Sequence, residues 1–285
     1  MKLLMTLLVR DEQDVIAANI AYHLSRGVDH IIVTDNGSVD ATREIVKDFA
    51  RAGKVTLIDE AGDDYSQYVW VTRMARAAAK MGADWVINND ADEMWWPLEG
   101  NLKTALERVP RKCGSAIVER SNMLPVRGLD GHPFERMVLR DVHSVGALGS
   151  PLSGKAAHRA KKDVEVMMGN HGVSSPSLGP SMETRAMTIF HFRYRSYAQF
   201  ERKIANGGAA MLRNRVLPQE ICSRWRELYK RLQAGTLKAW YDALPHVGDP
   251  EVKERVARGE IVEDERLARY LRETVFGNQA PGGGT

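Results

Sequence analysis

Asp90 and Asp92 stand two residues apart, in a stretch reading Asn88-Asn89-Asp90-Ala91-Asp92-Glu93 and followed by Trp95-Trp96. On extended backbone, side chains at i and i+2 point the same way, so both carboxylates can face one point. Hard divalent cations such as Mg²⁺ or Mn²⁺ prefer such oxygens and keep open positions for phosphate. An isolated Asp-x-Asp recurs by chance, and its ordinary reading is a solvated turn. Here it directly follows the apolar run Trp85-Val86-Ile87, which makes it more specific. Two other apolar runs also end in polar clusters. Residues 3–9 run into Arg10-Asp11-Glu12, and residues 30–34 into Asp35-Asn36-Gly37-Ser38. In an open parallel sheet, ligands bind beyond the carboxyl ends of the strands, so three polar ends on one rim make a cleft. An acidic cleft repels an anionic nucleotide, and a cation is expected between them.

The elements that must position these residues alternate. Ile16, Ile20 and Leu24 recur every four residues and predict a helix stopping at Gly27. Residues 30–34 predict a second buried strand. Asp40 opens a helix carrying Ile45, Val46 and Phe49, closed by Gly53. A third strand over 55–58, an Ala-rich helix over 67–81 ending at Gly82, and a fourth strand over 85–87 complete the series. This rhythm implies right-handed crossovers and an α/β fold with a mostly parallel central sheet flanked by helices. A further helix over 101–109 and a strand at 116–118 follow. Residues 120–190, rich in Gly, Pro, Ser and His, read as loops and short strands covering a site. Residues 196–275 are helical in pattern, with Trp225, Leu228 and Leu232 on one stripe and no obvious chemistry. The expected organisation is therefore a domain over 1–195 (a nucleotide-binding half to 110, an acceptor and metal half from 111), a helical extension over 196–275, and a Gly-rich disordered tail over 276–285.

Several of these segments together resemble the family-two-like glycosyltransferases with a GT-A fold. They are Leu8-Val9-Arg10-Asp11-Glu12, Ala21-Tyr22-His23, Gly27-Val28-Asp29-His30 and Asp35-Asn36-Gly37-Ser38-Val39-Asp40. Asn88 to Trp95 resembles the metal loop of the subgroup that reads Asp-Ala-Asp-Glu-aromatic, and His191-Phe192-Arg193-Tyr194-Arg195-Ser196 resembles its late His-aromatic-basic-Ser segment. The resemblance spans roughly residues 3–205. It implies a metal-dependent transfer of sugar from a nucleotide-diphosphate sugar to an acceptor hydroxyl, with inversion. The implied donor is a UDP-sugar by analogy, with a GDP-sugar as the alternative, and the implied acceptor is a glycan, lipid or small molecule. It further implies that Arg10 and Glu12 meet the nucleotide, that Asp35 reads the base, that Asp90 sits near the ribose, and that Asp92 holds the metal, with His191 completing the metal shell. Asn36 and Asn89 join the nucleotide-binding set beside them. Arg73 lies one residue from the usual basic position. The family usually has Asn where this chain has Asp11, and Phe, Tyr or Leu where it has Met94.

The chemistry of such a transfer makes further demands. Negative charge builds on the departing diphosphate, so cations there stabilise the transition state. Lys155 and Arg195 are the candidates, against the plainer readings of a surface lysine and a solvated strand edge. On extended chain Arg193 and Arg195 would share a face. Inversion needs a base for the acceptor's proton. Glu119, Glu135, Asp141, Asp163, Glu165, Glu183 and His171 are open choices, and Glu93 could orient the acceptor or support the metal loop. One of Trp95 and Trp96 is expected in the core and the other in the cleft. Residues 149–156 nearly spell a phosphate-binding loop, but Ala156 lacks the hydroxyl that would hold Mg²⁺. They read as a flexible loop presenting Lys155. Two alternatives remain: a sugar-nucleotide-forming nucleotidyltransferase, which expects a Gly- and Arg-rich loop after the first strand that Leu8-Val9-Arg10-Asp11-Glu12 lacks, and a non-catalytic nucleotide-sugar-binding protein, against which the intact metal and base-reading positions argue.

Composition sets the outer limits. The chain has 285 residues, 44% hydrophobic and 27% charged, ordinary values for a globular protein with its own core. Forty basic against 37 acidic residues, net +3, do not suggest a nucleic-acid partner. Two cysteines, Cys113 and Cys222, make no disulfide framework or Cys-rich zinc site, and the cytoplasm is the expected compartment. The apolar start, interrupted at once by Arg10, Asp11 and Glu12, reads as a buried strand rather than a secretory leader. The helical extension could cover the acceptor side, join two copies as a homodimer, or lie on a membrane surface.

Overall fold

The computed structural model describes residues 1–128, 130–145, 152–214 and 223–277. Residues 149–151 of the near phosphate-binding loop, Cys222 and the tail from 278 onward lie outside them. The first half follows the expected rhythm: β1 (Leu3–Val9), α1 (Ile16–Ser25), β2 (His30–Asp35), α2 (Thr42–Arg51), β3 (Val55–Asp59), α3 (Gln67–Lys80) and β4 (Trp85–Asp90). Gly27 and Gly82 close α1 and α3 at φ of 104° and 78°, a backbone region that L side chains rarely adopt.

The second half is richer in strands than the sequence suggests. It runs β5 (Glu93–Pro97), α4 (Leu102–Glu107), β6 (Ser115–Asn122), α5 (Pro133–Arg136), β7 (Leu139–Asp141), β8 (Lys155–Arg159), β9 (Glu165–Val166), β10 (Val173–Ser174) and β11 (Ser181–His191). One eight-stranded sheet has the order β3-β2-β1-β4-β8-β6-β11-β5. The β3-β2-β1-β4 half is parallel throughout. In the other half β8 runs antiparallel to both β4 and β6, β11 is parallel to β6, and β5 is antiparallel to β11. The fold is thus a mixed α/β architecture with helices on a large central sheet.

The core forms on both faces of that sheet because β1 is apolar at every position but Thr6. Leu3, Met5 and Leu7 pack with α1, α2 and α4, while Leu4 packs with Val71, Met74, Ala75 and Ala78 of α3. Continuous rather than alternating hydrophobicity is what a strand covered on both faces requires.

The C-terminal region comprises α6 (Tyr197–Arg213), α7 (Ser223–Gln233), α8 (Leu237–Asp242), α9 (Pro250–Ala257), β12 (Ile261–Glu263) and α10 (Arg266–Leu271), then a π-helical turn over Arg272–Phe276. It is not simply appended. β12 pairs with β7, and Leu267 and Leu271 join the main core. Phe276, read from sequence as the start of the tail, packs against His132 at 5.0 Å between ring centroids. No described helix is long and apolar enough to cross a membrane.

Candidate functional site

The three polar strand ends meet, as the sheet order requires. β1 lies between β2 and β4 in parallel register, so Arg10, Asp11 and Glu12 leave the sheet beside Asn36 and beside Asp90. All of these line one cleft of about 330 Å³, together with Asp92, Lys155, His171 and His191. β8 runs antiparallel to β4, which sets its first residue, Lys155, at the level of the last residues of β4. Lys155 therefore sits on a strand, buried, and pairs with Asp90 and, at 3.3 Å, with Glu93. It is neither a surface lysine nor part of a flexible loop. Asn170 donates to the other oxygen of Asp90 at 2.9 Å.

Asp92 lies past the end of β4, in the two-residue turn that leads into β5. Its carboxylate is buried, and its Oδ2 accepts from Lys203 Nζ at 2.7 Å, with Arg195 Nη1 at 3.8 Å. Burial alone would raise the Asp92 carboxyl, but the cations around it, Lys203 foremost, outweigh that and hold it well below the ordinary carboxylate range. The same pairing raises Lys203 against the effect of its own burial. Asp90 and Asp92 thus face different cations rather than one point. The turn breaks the extended geometry that would have aligned them.

His191 ends β11 opposite Asn122 of β6. Its Nδ1 is 2.8 Å from Asn122 Oδ1, an acceptor, so the ring proton sits on Nδ1. Nε2 then presents a lone pair, 4.0 Å from Asp92 Oδ2. Burial keeps this imidazole neutral, well below its ordinary pKa. A lone pair facing a carboxylate is a cation-holding arrangement. Among the described residues no group of three or more His, Cys, Asp or Glu converges on one point, so Asp90 does not join Asp92 and His191. Two protein donors still fit a divalent cation that draws its remaining ligands from phosphate and water.

Other expected residues are placed differently. Arg195 is buried beneath the cleft floor, bridging Glu12, Asp14 at 2.7 Å and Asp92, while Arg193 lines the cleft. The chain is irregular after β11, so the two arginines do not alternate as on a strand. Asp35 is 2% exposed just behind the cleft wall; its Oδ2 accepts from the Ser38 amide, and its Oδ1 has no hydrogen-bond partner. Arg10 Nε is likewise buried without a partner. Asn89 points into the core, accepting from Trp95 Nε1 at 2.9 Å. Arg73 is outside the cleft, paired with Glu60 at 2.8 Å.

Glu93 is fully buried, pushed up by that burial, and holds Arg120 at 2.9 Å and Lys155. It supports the loop from behind and does not line the cleft. None of Glu119, Glu135, Asp141, Asp163, Glu165 and Glu183 lines it either. His171 does. Its Nδ1 bonds Gly154 O at 2.8 Å, and burial and Lys155 lower its pKa to about 4.

The far wall holds what sequence reasoning missed. α6 presents Phe200, Lys203, Ile204, Asn206, Gly207 and Ala210 to the cleft, and α7 adds Trp225 and Leu228. Asn206 donates to Asp11 at 2.8 Å. Residues 200, 203, 204, 207 and 210 follow the spacing of one helical face, which is the signal that could have marked α6 as a wall. The aromatic lining is Tyr65, Trp70, Phe200 and Trp225. Trp95 is buried as expected, but Trp96 packs against Tyr22, Phe190 and Tyr270, away from the cleft.

No family model matches the chain, and no curated protein matches it. Solved structures do. S. aureus TarS in complex with UDP-GlcNAc is 12% identical over 91% of this chain and 92% of its own, with a TM-score of 0.43. GalNAc-T7 with UDP, GalNAc and Mn²⁺ is 11% identical over 98% of this chain and 57% of its own, with a TM-score of 0.42. Glucosyl-3-phosphoglycerate synthase from Mycobacterium tuberculosis, with Mn²⁺, UDP and glucosyl-3-phosphoglycerate, is 13% identical over 87% of this chain and 82% of its own, with a TM-score of 0.34.

Proposed function

We propose that this cleft binds a nucleotide-diphosphate sugar with Mn²⁺ or Mg²⁺ and transfers the sugar, with inversion, to an acceptor hydroxyl. The observation that carries the reading is the Asp92–His191 pair, a carboxylate facing an imidazole lone pair at 4.0 Å in a cleft formed by three strand ends. Asp35, with its unpartnered buried oxygen, serves as acceptor for a base N–H. Asp90 faces the ribose, held in place by Lys155 and Asn170. Asp92 and His191 would hold the metal, which would supply Lewis-acid stabilisation of the leaving diphosphate.

The chain's own cations do the rest. Arg10, Lys203 and Arg193 line the cleft and meet phosphate charge. Arg195 holds Glu12, Asp14 and Asp92 in place rather than touching the donor. The aromatic side of the cleft, with Tyr65, Trp70, Phe200 and Trp225, offers ring faces against which a sugar or an apolar acceptor can stack.

The test is thermal shift with UDP, GDP, ADP, CMP and dTDP, each with and without Mn²⁺, on the wild type and Asp92→Ala. Stabilisation by one diphosphate, metal-dependent and lost in the variant, is expected, UDP first among them. Free UDP released from a UDP-sugar on adding acceptor then establishes transfer. Pyrophosphate release from a nucleoside triphosphate would instead mean a nucleotidyltransferase. Binding without turnover of any acceptor would mean a binding protein.

A further inference from the structure

Lys203 lies on α6, and no strand-end motif contains it. Its ammonium is 2.7 Å from Asp92 Oδ2 and 3.6 Å from Glu12 Oε1. Asn206, one turn further along α6, fixes the same helix face to Asp11 at 2.8 Å. The Lys203 side chain keeps 30% exposure, toward the cleft it lines, whereas Asp92 keeps 5%. A buried carboxylate needs a counter-charge, and without donor or metal Lys203 supplies it. The imidazole lone pair of His191 faces the same oxygen. We infer that Lys203 is a displaceable internal cation: it occupies Asp92 in the empty cleft and moves to the diphosphate when a divalent cation takes Asp92.

The inference rests on the nucleotide-diphosphate reading above and adds a linkage to it. A divalent cation at Asp92 and His191 comes close to the ammonium and is repelled by it, so the metal alone binds weakly. A diphosphate gives the ammonium a new partner, and a lysine's flexible four-carbon stem allows the exchange. Metal and diphosphate therefore strengthen each other's binding by the same factor, and Lys203 carries part of that factor.

The experiment measures Mn²⁺ binding by electron paramagnetic resonance, with and without UDP, and UDP binding by calorimetry in saturating Mn²⁺. Wild type is compared with Lys203→Met. Without UDP, Lys203→Met is expected to bind Mn²⁺ at least tenfold more tightly than wild type, because the competitor is gone. In Mn²⁺ it is expected to bind UDP at least tenfold more weakly, because the phosphate partner is gone. These opposite signs separate the proposal from a structural lysine, whose loss would weaken both. Lys203→Gln, which keeps a donor for Asp92, is the second variant and is expected to show both signs at smaller size. Asp92→Ala abolishes Mn²⁺ binding in either background. Unchanged or weaker Mn²⁺ binding in folded Lys203 variants would overturn the inference, as would UDP binding in wild type that EDTA leaves undiminished. Failure of wild type to bind any nucleotide would overturn the donor reading instead, and the Mn²⁺ comparison without nucleotide would still decide the role of Lys203.

Discussion

Asn122 decides which nitrogen of His191 faces the cleft. Its side-chain oxygen accepts a hydrogen bond from Nδ1–H at 2.8 Å, which leaves Nε2 bare toward Asp92. Removing such an outer partner typically costs a metal site roughly 10- to 100-fold in affinity. Asn122→Ala is therefore expected to weaken Mn²⁺ binding in the presence of UDP by about that factor, read by paramagnetic resonance, while the melting temperature changes little because Asn122 is part-exposed. An unchanged affinity would mean that His191 is not a ligand. The neighbouring residues show how far single positions are readable. Arg10, Glu12, Asp90, Asp92 and His191 were legible as cleft residues because each lies at or just beyond a strand end or inside a short recognisable segment. Lys203 was not. It meets Asp92 across 111 residues, and the helical face it shares with Phe200, Ile204 and Gly207 marks a packed wall without saying what that wall faces. Asn89 and Arg195 were placed at the ligand because sequence order says which residues neighbour a motif. It does not say which of them turn inward.

At the scale of elements, two buried histidines set a pH limit on the fold. His23 in α1 accepts the Trp95 amide through Nε2 at 3.3 Å, and His158 in β8 keeps Nε2 buried without a partner. Burial lowers both to about 4, from the 6.5 of an ordinary imidazole. The unfolded chain binds these protons below pH 6.5 and the native protein does not until near pH 4. Stability is thus fully present above pH 6.5 and is lost as the pH falls toward 4. His158→Leu removes one such proton. It is expected to flatten the fall in unfolding free energy between pH 6 and 5 by roughly 1 kcal/mol per pH unit, as measured by urea denaturation. An unaltered slope would mean that His158 is already charged in the native state.

Gly207 and Gly208 of α6 let Trp225 and Tyr229 of α7 approach its backbone closely. A Cβ on Gly208 would meet the Tyr229 ring at 2.3 Å and its Cβ at 2.6 Å, close to the backbone of α7. Gly208→Ala must therefore push α7 off α6, at a cost of about 1–3 kcal/mol seen in the same denaturation assay. Elements were legible wherever periodicity was clean, from β1 through β4. β5 was missed because only a two-residue turn separates it from β4, so that both read as one polar loop. β11 was missed because its register shifts between Thr184 and Ile189, which breaks the period-two pattern.

For the whole molecule, the question is whether the region after residue 195 is a separable extension. The packing argues that it completes the domain. Lys203 neutralises Asp92, and Asn206 holds Asp11. Arg213 pairs with Asp63 at 2.8 Å. β12 extends β7, Asp264 pairs with Arg140 at 3.0 Å, and Tyr270 covers Trp96. Leu267 and Leu271 are 2% and 0% exposed within the main core. A chain ending at residue 195 would uncover that apolar surface and leave Asp92 and Glu12 short of a cation, a charge imbalance that a buried site tolerates poorly. It is expected to lose the cooperative unfolding of a single domain, to bind a hydrophobic dye, and to melt without a sharp transition. The full chain is expected to melt in one step that UDP and Mn²⁺ move upward together. A 1–195 fragment that melted cooperatively and still bound UDP with Mn²⁺ would show the opposite: the strand-end cleft would then be complete in itself, and α6 would be a cover rather than a wall.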